Sequence, residues 1–346
     1  MITSEEIKKI RDYLEKSENP LFFFDDDPDG LSCFLLLYKH IEKGHGVMVK
    51  GTPKLGEEYL RKVQEYHPDK IFVLDKPHLS QDFIDKVNVP IIYIDHHPPN
   101  EIKGAHYFNP LLHDKEDNRP TCYWCYKVTE QNEWIAMTGI VGDWFLPEQV
   151  DKKFKNLYKD LLPKVKDPGE ARFNTPIGIL TKIFSFILKG KSSDVMRCVR
   201  ILTRVKTPEE ILNQTTKEGK YIYKYYETVN KRYEKMLAKA ESMIDTKENF
   251  LLYTYPSGKD SFTGMLSEEL TYKYPDKTIV IGRNKEDRVV MSLRSQNKDI
   301  RSAVEKAKEG LDGYGGGHEH ACGSNISKKD FPKFITRIKK YLKEQN

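Results

Sequence analysis

This 346-residue chain contains no uninterrupted apolar run of about 18 residues, so no transmembrane helix and no membrane partner are expected. Its start, Met-Ile-Thr-Ser-Glu-Glu, lacks the basic-then-apolar order of a secretory signal. Cysteine is scarce, odd in number at five, and scattered. That excludes a disulfide scaffold and reads as reducing, cytoplasmic surroundings. Cys122-Tyr-Trp-Cys125 has redox or zinc spacing, but no second pair accompanies it. It falls among aromatics in an expected helix, and ordinary buried thiols are the reading. An internal repeat is absent, and so is a large charge excess. The net charge of +5 permits a polyanionic substrate without demanding one. With 38% apolar residues the chain can bury two cores.

What the chain has is carboxylates placed after apolar runs. Phe22-Phe23-Phe24 leads into Asp25-Asp26-Asp27-Pro28-Asp29-Gly30, and Ile91-Ile92-Tyr93-Ile94 leads into Asp95-His96-His97. Each run has strand length, and open parallel sheets place ligands at the carboxyl ends of strands. On an extended segment Asp25, Asp27 and Asp29 would point the same way. Capping of the helix expected near Gly30 accounts for one aspartate and leaves the others unexplained. Several ionised carboxylates in one pocket raise one another's pKa unless cations neutralise them, and imidazole in the set suits Mn²⁺, Fe²⁺ or Zn²⁺ better than Ca²⁺. Asp75, after Ile71-Phe72-Val73-Leu74, and Asp143, after Thr138-Gly-Ile-Val-Gly142, extend the pattern.

The pattern predicts an α/β protein. Strands at 20–25, 46–50, 70–75 and 90–95 alternate with helices near 30–43, 56–66, 79–86 and 120–130, which implies a parallel sheet. The expected divisions are a parallel-sheet domain over 1–150, a helical connecting segment over 151–245, and a smaller mixed α/β domain over 246–346 with strands at 249–255, 277–282 and 287–293. A long helix from Lys217 carries tyrosines at 221, 223, 225, 226 and 233, read as packing in preference to a base-stacking platform. Gly313 and Gly315-Gly316-Gly317 read by composition as a flexible loop, and as an anion site if a helix follows, with His318 and Arg294 as charged donors. His318-Glu-His320-Ala-Cys322 lacks an evident fourth zinc ligand.

In chain order, Asp-x-Asp-Pro-Asp-Gly (25–30), Val-Leu-Asp (73–75), Asp-His-His (95–97) and Gly-Asp (142–143) resemble the four motifs of the DHH phosphoesterase family. Gly315-Gly316-Gly317-His318 resembles the glycine-histidine motif of that family's associated C-terminal domain, and Ser292-Leu-Arg294 the strand before it. The alternating aspartates are similar to RecJ-type single-strand exonucleases. Phe23 stands where the pyrophosphatase and nano-RNase branches have histidine.

The resemblance implies two Mn²⁺ ions, with Mg²⁺ as a substitute. Asp25, Asp27 and Asp75 would hold one, and Asp29, Asp75, His96 and Asp143 the other, with Asp75 bridging. His97 would act on the phosphate, Asp95 would orient the imidazoles, and Ser292, Arg294, Gly315, Gly316, Gly317 and His318 would hold substrate. The expected activity is metal-dependent hydrolysis of terminal phosphodiesters in single-stranded DNA or RNA. The alternative is a small-nucleotide phosphodiesterase cleaving short oligoribonucleotides, cyclic dinucleotides or adenosine bisphosphate. A scaffold bound to a replication or repair partner competes, but an intact ligand set disfavours it. No pattern in the sequence speaks to oligomeric state.

Overall fold

Leu21-Phe22-Phe23-Phe24 is apolar on both faces, as a strand sandwiched between helix layers must be, and all four residues are wholly buried. They form strand β1 (Pro20–Asp25), an interior strand of a five-stranded sheet. The computed structural model describes residues 1–51, 54–148, 152–258 and 260–345, and the division expected between residues 150 and 151 lies outside them. The chain separates into two compact units, Met1–Glu227 and Thr228–Asn346.

In the first unit, β1 is joined by β2 (His45–Val49), β3 (Lys70–Leu74), β4 (Ile91–Ile94) and β5 (His106–Phe108). The order is β2-β1-β3-β4-β5 and every pairing is parallel. The fifth strand, only three residues long, is an addition to the sequence expectation. Helix α1 (Ser4–Glu15) precedes β1, connections run through α2 (Pro28–Ile41), α3 (Leu60–Tyr66) and α4 (Gln81–Asp85), and α5 (Thr121–Thr129) and α6 (Glu133–Gly142) follow the sheet. Val49, Val73, Phe83 and Tyr93 belong to the apolar cluster on one face of the sheet. Two glycines permit close packing on α2. A Cβ on Gly30 would lie 2.6 Å from the Asp25 amide nitrogen, and one on Gly139 would lie 2.7 Å from the Ser32 side chain. Helices α7 (Lys152–Tyr158), α8 (Pro168–Asn174), α9 (Pro176–Ile187), α10 (Ser192–Leu202) and α11 (Pro208–Leu212) follow, then the 25-residue α12 (Lys217–Glu241). The α12 tyrosines are taken up in packing: Tyr226 stacks on Phe186, Tyr225 donates to the Lys189 carbonyl, and Tyr233 donates to Glu269.

The second unit holds β6 (Phe250–Pro256), β7 (Thr278–Lys285), β8 (Arg288–Arg294), β9 (Gly313–His318) and β10 (Ala321–Ser327), with α13 (Thr263–Lys273), α14 (Ile300–Ala307) and α15 (Phe331–Lys343). The order is β9-β10-β8-β7-β6, parallel only between β6 and β7. Val289, Met291 and Leu293 of β8 pack with Val304 of α14 and Phe334 and Ile338 of α15. Their period of two leaves Ser292 and Arg294 on the opposite face. The glycine segment is therefore an edge strand and not a loop, and a second strand follows it where an anion-binding site required a helix. Side-chain patterning could not reveal this, because glycines have no side chains to pattern; the ladder to β10 makes the strand. Among the described residues, no helix is long and apolar enough to cross a membrane.

Candidate metal centre

The carboxyl ends of β1, β3 and β4 lie side by side, because these strands are parallel and adjacent. Asp25 ends β1. Asp27 is the N-cap of α2 and accepts from the Gly30 amide at 2.9 Å, while Pro28 starts the helix without an orphaned N–H. Asp29 lies in the first helical turn. The three aspartates thus converge through a strand-to-helix turn, which corrects the expectation of one extended segment. Asp75 follows β3 with φ of 59°, a left-handed conformation uncommon for a non-glycine residue, and is 1% exposed. Asp143 caps the end of α6.

His96 brings these stations together. Its Nε2 lies 3.5 Å from Asp75 Oδ1, 3.6 Å from Asp143 Oδ2 and 4.0 Å from Asp29 Oδ2. Three overlapping groups present ligand atoms within 4.8 Å of one another: Asp25, Asp27 and Asp75; Asp29, His96 and Asp143; and Asp75, His96 and His97. Asp95, fully buried, accepts from His97 Nδ1 at 2.8 Å and from the His97 amide at 3.2 Å. Its contact is thus with His97, the second of the two imidazoles.

Burial and mutual repulsion act together on this cluster. Burial first, then the Asp27 charge, push Asp25 up to about 7, against the pull of Lys76. Burial and the charges of Asp143 and Asp27 push Asp29 up to about 8. Burial and four neighbouring carboxylates push Asp75 well above the ordinary range. For His96, burial and the charge of His97 depress the imidazole to about 4, so it stands neutral as a ligand. For His97, burial opposes protonation, but the Asp95 hydrogen bond and charge outweigh it and raise the value. Five carboxylates with one neutral imidazole, mixing oxygen and nitrogen donors, make a donor set that fits divalent cations.

Two partners of this cluster escaped the sequence reading. Lys76 is completely buried and its Nζ lies 2.7 Å from Asp25 Oδ1. The Asp26 amide also donates to that oxygen, at 2.8 Å. The only sequence signal was the position of Lys76 directly after Asp75, since lysine is almost never fully buried unless paired. The start of α5 is the other: the Thr121 and Cys122 amides donate to Asp29 at 2.8 and 2.7 Å, and Thr121 Oγ1 donates to Asp75 at 2.9 Å. Helix N-termini favour anions in this way, so α5 steadies both carboxylates. Cys122 and Cys125 are buried free thiols.

In the second unit the ladders align Arg294 and His318 with Ala321 between them, and Ser292 and Gly316 with Gly323 between them. Residues opposite one another in antiparallel strands share a face, so these four sequence candidates lie together, with Gly315 and Gly317 on the same strand. Arg294 Nη2 pairs with Glu268 at 2.8 Å and its Nε donates to Ser267 at 3.2 Å.

Family models match the chain twice: the DHH family, N-terminal domain, over residues 21–146, and the DHHA1 domain over residues 250–344. No curated protein matches the sequence. Among solved structures, RecJ in complex with Mn²⁺ from Thermus thermophilus is 15% identical with a TM-score of 0.66, covering 98% of this chain, which spans only 55% of that one. An exonuclease RecJ bound to manganese is 15% identical with a TM-score of 0.66, over 99% of this chain and 95% of that one. The pGpG-specific phosphodiesterase PggH from Vibrio cholerae is 13% identical with a TM-score of 0.51, over 95% and 100%. At these identities the likeness is one of fold. The two family models, matched in order across more than half of the sequence, make this chain a member of the DHH phosphoesterase family, with a DHHA1 domain following its DHH domain.

Proposed function

We propose that the protein is a Mn²⁺-dependent exonuclease that hydrolyses the terminal phosphodiester of single-stranded DNA or RNA. The observation that carries this reading is the convergence of Asp25, Asp27, Asp29, Asp75, His96 and Asp143 into overlapping ligand groups. The RecJ-like fold along nearly the whole chain supports a nucleic-acid strand as the substrate.

Asp25, Asp27 and Asp75 would hold one ion, and Asp29, Asp75, His96 and Asp143 would hold the other. Two divalent ions, when bound, would supply Lewis-acid chemistry for activating water and for neutralising charge at a phosphodiester. Mg²⁺ is a substitute. His97 is held through Nδ1 by Asp95, which leaves Nε2 to donate to a phosphate oxygen. Lys76 and the Asp26 amide occupy Asp25 Oδ1, so Asp25 offers its other oxygen as a ligand.

The DHHA1 residues Ser292, Arg294, Gly315, Gly316, Gly317 and His318 contact the substrate without touching metal. Arg294→Ala is expected to weaken binding of a short oligonucleotide by roughly tenfold while calorimetric Mn²⁺ stoichiometry is unaltered. Loss of metal in that variant, or wild-type kinetics, overturns the assignment.

The nuclease reading is tested by length dependence. Affinity is expected to rise over several nucleotides and to weaken steeply with salt, as phosphates bound by lysine release counterions. Lys217, Lys220, Lys224 and Lys231, all exposed on α12, are the proposed contacts. The measurement is binding of oligonucleotides of about 2 to 20 residues to a metal-ligand variant at two salt concentrations. Affinity that saturates at two or three nucleotides, with a shallow salt slope, would instead assign the small-nucleotide phosphodiesterase reading, towards which the fold likeness to the pGpG-specific enzyme points.

A further inference from the structure

Asp143 and the residue after it close α6 in a particular way. The Phe145 amide donates to the Ile140 carbonyl at 3.1 Å, and the Trp144 amide to the Val141 carbonyl at 3.3 Å. This is the Schellman arrangement, in which the residue past the cap is left-handed and usually glycine. Here that residue is Trp144, with φ of 55°. A bulky side chain is strained there, and strained residues gather at ligand sites. Nor does burial offset the strain. Trp144 is 37% exposed, whereas Trp124 and Trp134, the chain's other two tryptophans, are 3% and 0% exposed.

Neighbouring side chains hold the indole in place. Phe173 of α8 meets it edge-on, with ring centroids 5.7 Å apart at 63°. The Arg172 guanidinium lies over the ring at 5.2 Å from its centroid. Arg172 Nη1 also donates to the Gly142 carbonyl in the last turn of α6. An oriented, exposed aromatic, backed by a cation, thus adjoins a candidate metal ligand in sequence. A nucleotide with its phosphate at Asp143 carries its base one sugar away from that phosphate, and an aromatic plane is what a base of any identity stacks on.

We propose that Trp144 is a nucleobase-stacking residue, forming with Arg172 and Phe173 a subsite for the base of the nucleotide whose phosphate lies at the metal centre. The proposal rests on the nucleotide-hydrolysing reading above and adds to it the part of the substrate recognised beside the metals. Stacking of one base contributes roughly a tenfold change in affinity and tolerates any sequence.

The test uses the full chain with Mn²⁺ and a trinucleotide made resistant to cleavage by phosphorothioate linkages, beside its abasic analogue. Trp144 dominates the solvent-accessible indole, so its fluorescence reports directly. The expected result is quenching by the trinucleotide and not by the abasic analogue, with binding about tenfold weaker in Trp144→Gly and within about threefold of wild type in Trp144→Phe. Glycine suits the left-handed position, so Trp144→Gly keeps the α6 cap, and calorimetric Mn²⁺ stoichiometry equal to wild type shows that Asp143 is still in place. Wild-type affinity in Trp144→Gly, equal quenching by the abasic analogue, or a loss of affinity that accompanies loss of Mn²⁺ each overturns the proposal. Hydrolysis of an ordinary single strand of about 20 nucleotides is read separately. Its absence in the wild-type protein sinks the nuclease reading, while the stacking residue stands or falls on the binding constants.

Discussion

Asp75→Asn is expected to lower kcat/KM on a short single-stranded oligonucleotide by roughly a thousandfold or more, and to reduce the number of Mn²⁺ ions bound. Asp75 shares a ligand group with Asp25 and Asp27, and its Oδ1 lies 3.5 Å from Nε2 of His96 in the group with Asp29 and Asp143, so one substitution reaches both proposed ion positions. Asparagine keeps the shape, accepts from Thr121 Oγ1 as the carboxylate does, and tolerates the left-handed backbone that this residue adopts. What it removes is an acid group whose ionisation is opposed by burial and by the charges of Asp29, Asp27, Asp25 and Asp143. The metal-free variant is therefore expected to melt at or above the wild-type temperature even as activity is lost. Kinetics, calorimetric Mn²⁺ titration and a thermal melt in chelator check the three parts. Wild-type rates in the variant, or full activity of the wild type in chelator, would sink the two-ion mechanism.

Removing metal from the wild type should also reverse how stability responds to pH. In the folded, metal-free state Asp25 sits up at about 7 and Asp29 at about 8, both above the 3.8 of an unperturbed aspartate. Between those limits the folded state binds more protons than the unfolded one, so stability falls as pH rises. This loss begins above the unfolded value and is complete once pH passes the folded one. Mn²⁺ requires deprotonated ligands and binds only the folded arrangement, so its stabilisation grows over the same range. Thermal melts between about pH 5 and 9 in chelator should therefore decline, and parallel melts in Mn²⁺ should not. A flat profile in chelator, or a melting temperature indifferent to Mn²⁺, contradicts the account of the cluster.

The interior strands of the N-terminal sheet were legible because a parallel strand covered on both sides is a nearly continuous apolar run, and Phe22-Phe23-Phe24 and Ile91–Ile94 can be little else. The ligand stations were legible for a related reason: aspartates and histidines follow those runs directly, and strand ends are where parallel sheets expose functional groups. The short β5 left no such trace, since three residues carry no periodicity. The Gly313–His318 strand left none either, because its identity lies in hydrogen bonds to Ala321–Ser327.

The sequence by itself determined the alternation of strands and helices, the two-domain family membership, and which side chains are chemically able to hold a divalent ion. These follow from local composition and from spacing along the chain. Only the tertiary structure decided how Asp27 and Asp29 reach the centre, through a helix cap and first turn. It alone brought the Thr121 and Cys122 amides to Asp29 across more than ninety residues of chain, buried the Lys76 ammonium against Asp25, and left Trp144 strained and exposed beside Asp143. Each of these depends on which surfaces meet when the sheet and helices pack, and a burial or a pairing between distant segments leaves no mark in the local order of residues.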